Sequence, residues 1–145
     1  TESAKMSVGK LSLSTKKDQC ILTDGSIRNE KVMEITISKS RQGNYKNLKA
    51  LIGGEGQPPQ IVLTSDNSAF RSNDSALATD FNGQKVVKSI KNNILSTPDV
   101  PSAIKIRKIS SDSIAMDLLI DISEICIMSL GIISFELSHN SMFGA

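Results

Sequence analysis

The chain has 145 residues, which suits one domain and is long enough to bury a core without metals or disulfides. Aromatics make up 3% of it, with no Trp and a single Tyr, Tyr45, so Ile, Leu, Val and Met must build that core. A net charge of +2 excludes a globally basic field for nucleic acid but leaves room for a local patch.

In chain order, residues 6–13 read as a strand, with Leu11 and Leu13 alternating against Ser12 and Ser14. A short apolar run at 20–23 follows. Lys16-Lys17-Asp18 between the two suggests a hairpin, and Asp24-Gly25 marks the next turn. Residues 32–40 form the clearest strand: Met33, Ile35 and Ile37 share one face, and Glu34, Thr36 and Ser38 the other. After the turn at 41–44, residues 45–52 read as a strand with Leu48, Ala50 and Ile52 inward. A helical turn pairing Leu48 with Ile52 also fits, but a short turn after a strand usually returns an antiparallel partner. Residues 53–59, rich in Gly and Pro, form a loop, and 60–64 another short strand. Residues 65–79 are polar, with only Phe70 and Leu77 as large apolar groups.

The spacing of Val86, Ile90 and Ile94, with Val87 beside them, predicts an amphipathic helix over 82–95, stopped by Pro98. Residues 102–106 fit a short helix or the start of a strand. Residues 114–137 are the most apolar part of the chain. Their alternation predicts two strands around Ser129-Leu130-Gly131, although a buried helix fits such short runs as well. No internal repeat divides the chain. It reads as a single domain, 1–145, with an N-terminal hairpin (1–24), sheet strands (32–64), a helical region (82–104) and an apolar extension (105–145), read as strands.

Residues that carry chemistry are sparse. His139, the only histidine, sits near the end of the chain beside Ser138 and Ser141, where a triad base would lack fixed support. Gly53-Gly54-Glu55-Gly56 leads into Gln-Pro-Pro, whereas a phosphate loop needs Gly-Lys-Ser/Thr opening a helix. Asp112, Asp117, Asp121 and Glu124 read as a solvated face. Cys20 and Cys126 sit in apolar runs and read as buried thiols. The expectation is a non-catalytic protein with no cofactor and no metal. The longest charge-free apolar run, 125–135, is well short of the ~20 residues of a membrane helix, so no membrane partner is expected.

Lys39, Arg41, Lys46 and Lys49 fall within eleven residues that contain no acid, on the strand–turn–strand unit that carries Thr36 and Ser38. Cations and hydroxyls on one sheet face can hold phosphates and unpaired bases, and Tyr45 could stack on a base. A solvated face with a cationic edge is the simpler alternative.

Two segments resemble the coat proteins of single-stranded RNA bacteriophages. One is 34–52, Glu-Ile-Thr-Ile-Ser-Lys-Ser-Arg-Gln-Gly-Asn-Tyr-Lys-Asn-Leu-Lys-Ala-Leu-Ile. It is similar to that family's hydroxyl-bearing strand, polar turn and Tyr- and Lys-containing return strand. The other is 86–104, Val-Val-Lys-Ser-Ile-Lys-Asn-Asn-Ile-Leu-Ser-Thr-Pro-Asp-Val-Pro-Ser-Ala-Ile, similar to the family's amphipathic helix and Pro-bearing turn. The resemblance implies an α+β fold: an antiparallel β-sheet with an N-terminal hairpin and one or two helices packed on one face, completed by a partner subunit. It also implies a homodimer that self-assembles into an icosahedral shell around single-stranded RNA, and hence a place in a virion. Thr36, Ser38 and Lys46 would face RNA, with Arg41 and Lys49 as neighbours. Val86, Ile90 and Ile94 would form the dimer core, and 114–137 would supply further sheet strands. A β-rich binding module and a phage or secretion-machine tube subunit are the alternatives.

Overall fold

A computed structural model describes residues 9–25, 30–39, 46–54, 58–66, 80–87, 89 and 91–136. Eight strands follow one another: β1 (Gly9–Leu13), β2 (Gln19–Asp24), β3 (Lys31–Lys39), β4 (Lys46–Ile52), β5 (Ile61–Ser65), β6 (Asn93–Ser96), β7 (Ile104–Ser110) and β8 (Ser113–Leu118). Helix α1 (Glu124–Glu136) comes last. Each strand pairs antiparallel with the next, so sheet order equals chain order and β1 and β8 are the two edges. The fold is therefore a curled meander with one C-terminal helix, mostly β.

Strand alternation builds the core. Met33, Ile35 and Ile37 of β3 are buried, whereas Thr36 and Ser38 are exposed. Leu48 and Ala50 of β4, Leu63 of β5, Leu95 of β6, and Ile104 and Ile106 of β7 extend the same inner face. Cys126, Leu130 and Ile133 of α1 complete it. Both cysteines are buried free thiols within this cluster. The N-terminal hairpin and the strands expected near 32–40, 45–52 and 60–64 occur: β2 to β5 have bounds shifted by one residue, and β1 is described from Gly9 onward.

Two expectations are corrected. Among the described residues, 82–95 contain no helix. Asn82 and Gly83 take left-handed backbone angles (φ 56° and 75°), which no right-handed helix accommodates. Val87 N–H then bonds the Lys108 carbonyl (2.7 Å), and residues 93–96 become β6. The β-branched side chains that mimicked a helical stripe instead favour the extended chain. Likewise, 114–137 supplies one strand, β8, and then a helix rather than a second strand.

Ser123 precedes helix α1, and its carbonyl accepts the N–H groups of Cys126 and Ile127, both at 3.1 Å. Its buried stripe is Cys126, Ser129, Leu130, Ile133 and Ser134, at helical spacing. Two serines therefore face the core while Met128 and Ile132 face out (62% and 46% exposed), which cancels the amphipathic signal. Ser129 Oγ donates to the Ile125 carbonyl (2.8 Å), so its hydroxyl costs little when buried. The helix touches both sheet edges. A methyl group on Gly9 of β1 would fall 2.0 Å from Ile125 Cδ1, and one on Gly131 would stand 3.3 Å from Met116 Sδ of β8.

Candidate functional site

The basic strand–turn–strand unit divides into two environments. On the outer face, strand register aligns one polar residue per strand: Gln19 opposite Thr36, Thr36 opposite Lys49, Lys49 opposite Thr64, and Thr64 opposite Ser96. Ser38 stands opposite Asn47 one step along. Thr36, Ser38, Lys49 and Thr64 are exposed, so three hydroxyls and an ammonium are free to meet a ligand. Ser96 is engaged with Asp66, donating from Oγ to Oδ2 at 2.7 Å. The row crosses five strands at about 4.8 Å spacing, roughly 19 Å end to end.

Lys46 does not belong to that face, which corrects its assignment as an RNA-facing residue. It shares parity with Leu48 and Ala50 and is 1% exposed. Its Nζ donates to the carbonyls of Ile133 and Ser134 in the last turn of α1, the latter at 2.9 Å. That turn contains no basic residue of its own, so the sheet supplies the cation that its carbonyl dipoles favour. Lys91 adds a second positive group, with Nζ 3.6 Å from the centroid of the Phe135 ring. Burial first, and the nearby Lys91 ammonium second, lower the Lys46 pKa to about 7, with Cys20 acting the other way. The Cys20 thiol is itself pushed up by burial, against a smaller opposing effect of Lys46, so it is neutral at pH 7.

The Lys46 carbonyl is held from two sides. It accepts from Asn93 Nδ2 (2.6 Å) and from Ser65 Oγ (3.4 Å). Ser65 Oγ also accepts the Leu48 N–H (2.8 Å) and bonds Asn93 Oδ1 (3.0 Å). This buried network joins β4, β5 and β6 and fixes where the lysine enters the core.

Arg41, Ile90 and Tyr45 lie outside the described residues, as does His139. Of the residues expected in a dimer core, Val86 is half-buried and Ile94 is wholly buried within its own subunit, in β6. Ile94 therefore presents nothing to a partner, because the strand it lies in turns it inside the chain's own fold. Gln19, Thr64 and Ser96, which sequence reasoning missed, join the polar row only through cross-strand register.

A second surface lies at the β8 edge. Ile114 and Met116 of β8 and Ile127, Met128, Gly131 and Ile132 of α1 line an apolar groove of about 380 Å³, with Asp112 at its rim. Among the described residues no helix is long and apolar enough to cross a membrane. No protein-family model, curated protein or solved structure matches the chain.

Proposed function

We propose that this chain is a non-catalytic structural subunit that assembles with copies of itself, as a viral coat protein does. The supporting observation is the open sheet. Among the described residues it ends on two edge strands, β1 and β8, with exposed apolar side chains beside each: Leu13 on β1, and Met128 and Ile132 next to β8. Edge strands flanked by apolar surface invite pairing with another chain, and proteins that stay monomeric usually blunt them. In the finer reading, single-stranded RNA lies along the outer polar row, where Lys49 meets phosphate and Thr36, Ser38 and Thr64 offer hydroxyls.

Light scattering coupled to size-exclusion chromatography, with absorbance at 260 and 280 nm, tests both parts. A concentration-dependent rise to particles much larger than one chain supports assembly, and co-eluting RNA supports the coat reading. A monomer at every concentration would remove the proposal, while RNA-free assemblies would leave a tube- or ring-forming subunit in place of a coat.

A further inference from the structure

We propose that the open edge of β8 pairs antiparallel with β1 of a second copy, joining subunits head to tail. The inference rests on the assembly reading above and adds to it the partner strand and the register.

Backbone direction identifies the groups each edge offers. Lys108 turns its N–H to Asn92 Oδ1 (2.6 Å) and its carbonyl to Val87 N–H (2.7 Å), both on the side away from β8. Its cross-strand neighbour Ile114 therefore turns its own N–H and carbonyl outward, and Met116 follows two residues on. On β1, Ser14 N–H bonds the Gln19 carbonyl (2.8 Å), so even-numbered residues face β2. Leu11 and Leu13 consequently turn their backbone groups to the open edge.

One register satisfies both edges. Leu11 falls opposite Met116 and Leu13 opposite Ile114, so these four outward-turned residues meet as hydrogen-bonded pairs. Leu11, Ile114 and Met116 also pack on the inner face, so the pleats agree. Leu13, 39% exposed in the single chain, would drop against the groove lined by Ile114, Met128 and Ile132. On the outer face the same register sets Lys10 opposite Asp117 and Ser12 opposite Ala115. It also brings Lys16 and Lys17 of the β1–β2 turn beside Asp112 of the β7–β8 turn.

Charge selects this pairing over its alternatives. The β1 hairpin carries exposed Lys10, Lys16 and Lys17, and the β8 hairpin carries Asp112 and Asp117, the latter also bridged to Arg107 at 3.0 Å. Pairing β8 with β8 brings two acid-bearing hairpins together, and pairing β1 with β1 brings two lysine-bearing ones, so neither supplies opposite charge to the other. Closure within one chain is opposed by α1, which seats Ile125 on β1 and Gly131 on β8. A β8-to-β1 contact is heterologous, so it propagates into a ring or an open filament.

The test is a paired cysteine substitution in the full chain, Ser12→Cys with Ala115→Cys. These residues would face each other across a non-hydrogen-bonded pair, with Cα atoms about 4.5 Å apart, inside the roughly 4.4–6.8 Å that a disulfide spans. Mild oxidation and a non-reducing gel should give a ladder of dimer, trimer and higher species from the double variant and monomer from each single one. Lys10→Glu in the otherwise native chain should weaken assembly about fivefold, the scale of an exposed ion pair turned repulsive. Three gel results overturn the pairing: dimers from Ala115→Cys alone, an internally linked monomer, or no ladder from a double variant that still assembles. The last leaves the assembly reading standing, whereas a native chain that is monomeric throughout takes both down.

Discussion

Lys46 and Lys49 lie three residues apart on β4 and live in opposite surroundings. Lys46 points inward, 1% exposed, with its ammonium on the last carbonyls of α1. Lys49 points outward, exposed between Thr36 and Thr64. Strand parity alone separates them, because an odd step along a pleated strand reverses the face. A cluster of basic residues is therefore two half-clusters once it lies on a strand: one half ties a helix to the sheet, and the other is free to meet a ligand.

The sharpest way to break this contrast is Lys46→Ala. It leaves two buried carbonyls without their donor and opens a cavity, and should cost about 3 kcal/mol in urea or guanidinium melts. Lys49→Ala should stay within about 0.5 kcal/mol. Equal losses from the two variants would mean that Lys46 does not anchor α1.

The pH dependence of stability is the next largest effect. Lys46 holds its proton only up to about pH 7 in the folded chain, against an ordinary value of 10.5 in the unfolded one. Between these values the unfolded state binds more protons, so stability rises with pH and is lowest below 7. From pH 7 to 9 this lysine should contribute about 2 kcal/mol. Denaturant melts across that range should show the rise, and Lys46→Met should flatten it. An unchanged slope in that variant would assign the effect elsewhere.

Ser65→Ala removes the acceptor of the Leu48 N–H and one partner of Asn93, and should cost about 1–2 kcal/mol in the same melts. The smallest expected effect belongs to the outer row. Lys49→Ala should reduce affinity for a single-stranded RNA oligonucleotide a few-fold and lower the magnitude of the salt slope by about 0.7, one phosphate contact on a single strand. Lys46→Met should leave that slope unchanged. A slope that responds to Lys46 and not to Lys49 would reverse the assignment of faces.

Much of the sheet was legible locally. Met33, Ile35 and Ile37 alternate with Glu34, Thr36 and Ser38, and the structure buries the first set and leaves Thr36 and Ser38 exposed. The inward placing of Lys46 was legible too, since it shares parity with Leu48 and Ala50. The basic character of the segment drew it to the wrong face. The 82–95 segment misled for a different reason: Val86, Ile90 and Ile94 recur at helical spacing, yet Asn82-Gly83 turns the chain left-handed and β7 offers backbone partners. Helix α1 hid behind its own composition, because serines at 129 and 134 face the core while Met128 and Ile132 face solvent.

The sequence by itself determined the strand-rich character, the inner faces of β3 and β4, and the burial of both cysteines. Each follows from side-chain period and polarity within a few residues. Tertiary structure alone decided that β6 is a strand, that Lys46 caps a helix 87 residues away, and that five polar residues align across five strands. Those outcomes depend on which distant backbone groups and carbonyl dipoles come to lie opposite one another, and no local pattern encodes that.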